Sequence, residues 1–286
     1  MRQARTPKEE TDGRATAPSV VERTIEQIAL RIATGKYAAG ERLPSVRNIA
    51  AEFGINPSTA QIVLASLQSN GFIAVVPGVG FVARDIEQFG GISTWRYLFR
   101  FAQQLPERAT KIFEDFLAVR LLLMDDAMQK IVRNPKAYDP SAVRRTVQRM
   151  ELLLATSPDD RTEIARTELH ATRLMMLAVG QSVVTALLNS IGEIYLEQPA
   201  VIAAMYAEPR NHVLVWHTVL GQWEAGSFSA KGAATLRDEL NRYDGITLER
   251  YRRLVTSAAA PAAKPATAGS TAATKATTTR KKSARQ

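Results

Sequence analysis

The sequence predicts a mainly α protein with two folded parts: a small N-terminal domain of three helices and a hairpin, and a larger all-α helical bundle. Helical apolar spacing begins near residue 20, two short β-branched and aromatic runs follow Gly71, and no strand pattern is present between 93 and 256. These shifts divide the chain into five segments: 1–18, a flexible arm; 19–84, the small domain; 85–92, a linker; 93–256, the helical domain; and 257–286, a disordered basic tail.

The composition is that of a globular protein that lacks cysteine. Of 286 residues, 45% are hydrophobic and 23% are charged, and the absence of cysteine excludes disulfides, thiolate metal sites and cysteine nucleophiles. No apolar run approaches the roughly 20 residues that a membrane-spanning helix needs, and the polar N-terminus has no apolar signal core. We therefore expect a cytoplasmic protein without a membrane partner. The net charge is +9, and six of these charges fall in residues 257–286, which contain no acid.

Residue spacing predicts the elements of the small domain. One helical face is formed by Val21, Ile25, Ile28 and Ile32. Ser45 is suited to cap a second helix, and Asn56 followed by Pro57 is suited to begin a third, because proline lacks an N–H that the first helical position does not need. Gly71 ends the third helix, and Pro-Gly-Val-Gly at 77–80 joins two runs in a hairpin. This order is the plan of a winged helix-turn-helix.

The remaining chain has the pattern of a helical bundle. Val143, Val147, Met150 and Leu154 recur at helical spacing, and proline-containing pairs interrupt the apolar stripes at intervals. We expect six or seven helices in this domain.

Residues 35–85 resemble the DNA-binding domain of the GntR family. The matching positions are Gly40, Leu43, Pro44, Ser45, Arg47, Ile49, Ala50, Thr59, Leu67, Gly71, Gly78, Gly80, Phe81 and Val82. The resemblance implies a winged helix-turn-helix that binds a double-stranded DNA operator.

In that frame, eight residues are candidates for DNA contact: Arg42, Arg47, Asn56, Ser58, Thr59, Gln61, Gly78 and Gly80. The two arginines are suited to phosphates, or for Arg47 to a base at the groove edge, and the polar residues open the third helix, where side chains reach base edges or phosphates. The two glycines would shape the wing tip for close approach to the minor groove. The plainer alternatives are a solvated arginine, a helix cap at Asn56 and an ordinary hairpin turn. No charged residue occurs from Pro57 to Ala83.

The helical domain resembles the regulatory domain of the FadR-type subgroup, in which many proteins bind a metal through an acid four residues before a histidine and two later histidines. Here His170 occupies the first histidine position, but Arg166 replaces the acid, and Trp216 and Asp238 occupy the later positions. A cation beside Arg166 is electrostatically disfavoured, so we expect no metal and no cofactor.

The same resemblance implies an effector site. In the acyl-CoA-responsive branch, side chains at four-residue steps on the last helix face the ligand, and Tyr243, Thr247 and Tyr251 have that spacing. Asp244 replaces a glycine of the family, and its carboxylate would oppose a polyanionic CoA. The candidate effector-binding residues are His170, Trp216, Tyr243, Thr247 and Tyr251.

Together these features predict a homodimeric transcription regulator, a repressor, whose operator binding responds to a small-molecule effector such as an acyl-CoA or an organic acid. An architectural or partitioning protein that coats DNA through the basic tail is the alternative. An enzyme is not expected, because the aminotransferase that some family members carry is far larger and is built on an α/β fold.

Overall fold

A computed structural model describes residues 19–259 of the chain. The predicted arm, 1–18, and residues 260–286 of the predicted tail lie outside the described residues. The structure confirms the mainly α fold class, with a small winged domain followed by an all-α domain consistent with the FadR type. Within 19–259, no helix is long and apolar enough to cross a membrane.

The small domain contains three helices and a two-stranded antiparallel sheet. Its elements are α1 (Val20–Ala33), α2 (Val46–Phe53), α3 (Pro57–Ser69), β1 (Ile73–Val76) and β2 (Gly80–Ala83). In the sheet, Ile73 pairs with Ala83 and Val76 pairs with Gly80. A further bridge joins Arg42 to Val82, so the segment before α2 lies along the open edge of β2.

The predicted helix starts of this domain are confirmed. The Ser45 hydroxyl accepts a hydrogen bond from the Asn48 backbone at 3.3 Å, and the Asn56 side chain accepts one from the Thr59 backbone at 2.7 Å. Both satisfy N–H groups that the first helical turn leaves without a partner. Pro57 is the first residue of α3, as expected.

The segment predicted as a linker, 85–92, contains a short helix, α4 (Ile86–Phe89). The Asp85 carboxylate caps it by accepting from two backbone N–H groups, and the Ile86 side chain is buried. The segment that joins the two parts is therefore partly helical, with an N-cap directly before a buried isoleucine.

The helical domain contains eight α-helices within the described residues, rather than six or seven. They are α5 (Ile92–Arg100), α6 (Pro106–Arg133), α7 (Ser141–Thr156), α8 (Arg161–Ala178), α9 (Ser182–Leu196), α10 (Pro199–Met205), α11 (Pro209–Glu224) and α12 (Ala230–Ala259), with a 3-10 turn at Pro135–Ala137. Pro199 and Pro209 each begin a helix, which makes α10 a separate short element.

The two parts pack against each other through α5 and α6. The Phe72 ring after α3 contacts the Tyr97 ring of α5 edge to face, with 5.7 Å between centroids. The Thr94 hydroxyl donates to the Asn70 carbonyl at 2.6 Å, and the Arg108 guanidinium of α6 donates to the Ala33 carbonyl at 2.8 Å. Helix α6 is therefore joined by a hydrogen bond to the end of α1.

Candidate functional site

The outer face of α3 is uncharged and exposed. Ser58 and Gln61 are exposed on its first two turns, and Thr59 is half-buried. The Asn56 carboxamide oxygen accepts hydrogen bonds from both the Thr59 backbone and the Ser58 hydroxyl, each at 2.7 Å. The cap therefore uses the carboxamide oxygen of Asn56. The Gln61 side chain has its two N–H donors and its carbonyl acceptor available to a base edge.

One residue of this face was missed by the sequence analysis. Ile62 is 55% exposed in the middle of α3, although large aliphatic side chains normally face a core. It lies beside Gln61 and about one turn after Ser58, and Ala65 continues the same face. An apolar side chain there is suited to the methyl group of thymine. The signal was available, because the buried stripe of α3 already uses Val63, Leu64 and Leu67.

Two exposed arginines of the small domain have no protein partner among the described residues. Arg47 is exposed near the start of α2, and Arg42 is exposed on the strand segment beside β2. Neither guanidinium has an ion pair or hydrogen bond among residues 19–259, whereas Arg31 of α1 pairs with Glu52 at 2.6 Å. Both cations are therefore free to contact phosphates.

The wing is formed by the β1–β2 turn. Gly78 and Gly80 have φ angles of +76° and +105°, which side chains rarely adopt, so the turn requires glycine at both positions. Val75, Val76 and Val79 are exposed around it. The turn is thus an apolar, narrow projection next to Arg42.

A second candidate site is a cavity of about 310 Å³ inside the helical domain. Side chains of α6, α8, α10, α11 and α12 line it, and four of them are methionines: Met124, Met128, Met175 and Met205. A smaller chamber of about 50 Å³ adjoins it and shares Arg120, Met124, Glu168 and Met205 as walls. The volume lies within the range of small-molecule sites, roughly 300–1,000 Å³.

A buried carboxylate, Glu168 of α8, organises one wall of the cavity. It accepts hydrogen bonds from His212 Nδ1 and the Tyr206 hydroxyl, both at 2.7 Å, and from the Trp216 indole at 3.1 Å. Burial alone would raise the pKa of Glu168, but the charge and hydrogen bond of His212 and the hydrogen bond of Tyr206 outweigh it and lower that pKa to about 2. Glu168 is therefore ionised at neutral pH.

His212 carries the matching positive charge. Its Nδ1 faces the Glu168 carboxylate and its Nε2 faces the Met205 carbonyl at 3.0 Å, so both ring nitrogens meet acceptors and both must donate. Burial lowers the pKa of His212, but the Glu168 carboxylate more than offsets this and raises it above its ordinary value. The Tyr243 hydroxyl also donates to the Met205 carbonyl, at 3.0 Å.

A second buried ion pair joins Arg120 of α6 to Asp244 of α12. Their side chains are 15% and 10% exposed. Burial raises the pKa of Asp244 above its ordinary value, even though the Arg120 charge opposes this shift. For Arg120, burial lowers the pKa, but the Asp244 charge outweighs burial and the pKa of Arg120 is raised. Arg120 Nε and the Thr247 hydroxyl are both buried without a hydrogen-bond partner. Both residues are among those that line the cavity, although neither of these two atoms has more than 1 Å² of accessible surface.

The structure brings three of the five expected effector-site residues to this cavity: Trp216, Tyr243 and Thr247. His170 is exposed and lies in a shallow surface cleft among arginines. It is two residues after Glu168 on α8, and side chains two positions apart point to opposite faces of a helix. Tyr251 lies in the aromatic core, where its ring is 4.7 Å from that of Phe113, since it is one turn beyond the cavity on α12. The structure therefore places these two residues away from the cavity.

The residues at the family's metal-binding positions do not fit a metal ion. Arg166 and His170 are exposed, Trp216 is buried against Glu168, and the Asp238 side chain is 78% exposed. Within the described part of the chain, no group of three or more His, Asp or Glu side chains is placed to hold a cation.

The sequence analysis missed three charged residues of the cavity, Arg120, Glu168 and His212, and named Asp244 only as a carboxylate that would oppose CoA. For Glu168 a signal was present: Ile164, Ala165, Ala171 and Met175 form an apolar stripe on α8, and Glu168 falls within it. An acid inside an apolar stripe indicates a buried, paired carboxylate.

Comparison with known proteins identifies the small domain. Residues 20–82 match the family model described as "Bacterial regulatory proteins, gntR family". The HTH-type transcriptional regulator Mce2R of Mycobacterium tuberculosis and an uncharacterised HTH-type transcriptional regulator of Mycobacterium bovis are each 35% identical over 86 residues, which is 30% of this chain. The matched segment spans only 36% of the length of each of these relatives.

Solved structures of similar fold extend over more of the chain at low identity. Lar, which controls expression of the Listeria monocytogenes agr system, is 12% identical with a TM-score of 0.49 and covers 84% of this chain and 99% of its own. A GntR protein of Streptococcus agalactiae is 14% identical with a TM-score of 0.38 and covers 79% of this chain and 99% of its own. At these TM-scores, the likeness adds nothing to the fold described above. Residues 20–82 are therefore a helix-turn-helix domain of the GntR family of bacterial regulatory proteins.

Proposed function

We propose that this protein is a transcription regulator, a repressor, that acts in the cytoplasm as a homodimer and binds a DNA operator under the control of a small-molecule effector. One observation carries the DNA-binding part: α3 of a GntR-family domain presents an uncharged exposed face, and the same domain carries two exposed arginines, Arg42 and Arg47, that have no protein partner among the described residues. The effector part is supported by the cavity in the helical domain. The resemblance to the FadR-type subgroup implies an acyl-CoA or an organic acid as effector class.

In this proposal α3 enters the major groove, and Gln61 and Ile62 face base edges while Arg42 and Arg47 contact phosphates. The wing with Gly78 and Gly80 lies next to Arg42 and approaches the minor groove. Because α3 has no charged side chain, the phosphate contacts come from its flanks, and base recognition depends on hydrogen bonds and apolar contact.

Helix α6 connects the cavity to the DNA-binding domain. Arg120, Met124 and Met128 of α6 line the cavity, and Arg108 of the same helix bonds the last residue of α1, Ala33. Twelve residues of continuous helix separate Arg108 from Arg120, about 18 Å along the axis. A ligand that favours one position of α6 over another would therefore shift the domain that carries α3.

The proposed dimer uses an apolar face of the helical domain. Val183 and Leu187 of α9 are 77% and 51% exposed and one turn apart, and Leu122 of α6 is 68% exposed. The two helices are joined by a hydrogen bond from Gln181 to Asp126. A second copy related by two-fold symmetry would cover this face and place two α3 helices on a palindromic operator. Light scattering on Leu187→Asp tests this, and a dimeric mass unchanged by the variant would contradict the choice of surface.

The function is tested by selecting fragments of the source genome that the purified full chain binds at moderate salt. We expect a short palindrome, at least about ten-fold weaker binding to it by Arg47→Ala, and unchanged binding by the control Arg145→Ala. Arg145 is an equally exposed arginine on α7 without an ion pair in the described structure.

Two outcomes would overturn the proposal. One is binding without any recoverable motif that is equally strong in Arg47→Ala, which would indicate an architectural DNA-coating protein. The other is equal loss of binding in both arginine variants, which would mean that bulk charge, and not the position of Arg47 beside α3, determines affinity.

A further inference from the structure

The charges that line the cavity of the helical domain are already balanced. Arg120 pairs with Asp244, and His212 pairs with Glu168, so the four buried ionised side chains sum to zero. At the edge of the cavity, Arg242 and Glu239 form a further pair with 3.2 Å between Arg242 Nε and a carboxylate oxygen. An ionised ligand would therefore find no free charge of opposite sign in the cavity. Burying a charge without a partner is strongly unfavourable in a low-dielectric site.

The hydrogen-bonding capacity of the cavity is not balanced in the same way. Arg120 Nε is a donor without a partner, and the Thr247 hydroxyl is a donor and acceptor without a partner. Both atoms are buried, so neither is satisfied by bulk water. Each atom has less than 1 Å² of accessible surface, so each side chain has to turn toward the cavity before it can bond a ligand. After that movement the pair adds hydrogen-bonding groups to the cavity but no free charge.

The rest of the wall is apolar and adaptable. Four methionine side chains and the Trp216 ring surround the main chamber, and methionine fits irregular apolar shapes because its chain is unbranched and flexible. The smaller chamber continues beyond Arg120 and Met205 between α8 and α9. A ligand with a hydrocarbon chain or ring therefore has room on the side away from Thr247.

From these observations we infer that the effector is an uncharged molecule with an apolar body and a carbonyl-type acceptor oxygen, which accepts hydrogen bonds from Arg120 Nε and the Thr247 hydroxyl. This inference deepens the effector site of the proposed function and rests on it. It replaces the organic acid and the acyl-CoA that the sequence resemblance implies with an amide, ester, lactone or ketone of similar apolar size.

The test uses octanoate and octanamide, two probes that share one hydrocarbon chain and differ in charge. Binding to the full chain is measured by calorimetry at neutral pH, without DNA. We expect octanamide to bind about 100-fold more tightly than octanoate, because only octanoate introduces an unpaired buried charge. Asp244→Asn leaves Arg120 without its anion, so we expect the preference to reverse in favour of octanoate.

A second variant guards against loss of folding in Asp244→Asn. Thr247→Val removes a hydroxyl that has no partner to lose, so the fold is retained while octanamide binding weakens by about ten-fold. The control is Thr218→Val, an exposed threonine on α11, which should leave binding unchanged.

Octanoate binding to the unaltered protein as tightly as octanamide would overturn the inference, and so would failure of octanamide to bind, or octanamide binding that Thr247→Val does not weaken. A different result would contradict the proposed function alone. In that case octanamide would bind with the expected selectivity, but its addition would not change the affinity for the operator, measured by fluorescence anisotropy.

Discussion

Replacing Glu168 with glutamine removes the charge at the centre of the cavity wall while keeping the shape of the side chain. Glu168 has a pKa of about 2 in the folded protein and an ordinary value of 4.5 when unfolded. A shift of that size corresponds to about 3 kcal/mol of folding stability at about pH 6, at 1.36 kcal/mol per pKa unit. We therefore expect Glu168→Gln to lower the free energy of unfolding by about 3 kcal/mol at that pH.

The pH dependence of this difference identifies its cause. Because the folded pKa of Glu168 is lowered, its contribution is present above about pH 4.5 and is lost as the pH falls towards about 2, leaving about 2 kcal/mol at about pH 3.5. The folded pKa of His212 is raised, so its contribution is complete below its ordinary value of 6.5 and is lost as the pH rises through the raised value. The difference between the proteins is therefore largest at about pH 4.5–6.5.

Urea denaturation of both proteins, followed by circular dichroism from about pH 3.5 to pH 8, measures this difference. The matched control is Glu151→Gln, which removes the carboxylate of a surface pair with His217 whose side chains are 40% and 39% exposed. Such exposed pairs contribute about 0.5 kcal/mol or less. If Glu168→Gln costs no more than the control at about pH 6, or its cost does not shrink towards pH 3.5, the reasoning from a buried ion pair is refuted.

Two further predictions concern the helices that form the candidate sites. Asn56→Ala removes the cap of α3 and should lower the free energy of unfolding, measured with urea, by about 1 kcal/mol, and Asn56→Ser should restore it. Operator binding that recovers in the serine variant would assign Asn56 to capping. Operator binding that stays weak would assign it to DNA contact. Gly192→Ala places a methyl group against the Leu169 side chain where α9 crosses α8, so we expect a cost of about 1–3 kcal/mol in the free energy of unfolding. Adding Leu169→Ala should recover part of that stability, and no cost in the single variant would contradict the close packing of these helices.

Local chemistry made the small domain predictable. Ser45, Asn56 and Pro57 act within three residues of where they stand in the chain, and Gly78 and Gly80 have backbone angles that only glycine adopts readily. Such patterns depend only on residues close in sequence, so they can be recognised without knowledge of the fold. The helix in segment 85–92 was harder to predict, because α4 is only one turn long and is stabilised by the burial of Ile86.

Helical periodicity predicted faces of the bundle with mixed success. The stripe Val143, Val147, Met150 and Leu154 on α7 does face the core, with Leu154 half-buried at its end. On α6, apolar residues also recur at helical spacing at Ile112, Phe116, Val119 and Leu123, but Val119 is 39% exposed. The buried face of α6 keeps Ile112 and Phe116 and also takes in Phe113, Leu117 and Met124. A long helix carries apolar residues on more than one face, and its neighbours decide which face is covered.

The sequence by itself determined the class of the protein and its winged DNA-binding domain, because caps, turn glycines and helical spacing are local properties of the chain. Only the tertiary structure decided the effector cavity. Its two ion pairs join Arg120 to Asp244 and Glu168 to His212, residues that are 124 and 44 positions apart. Of these side chains only Glu168, an acid within an apolar stripe, stands out in its own segment. They acquire their protonation states, and the cavity acquires its neutrality, only when four helices bring the charges together away from water.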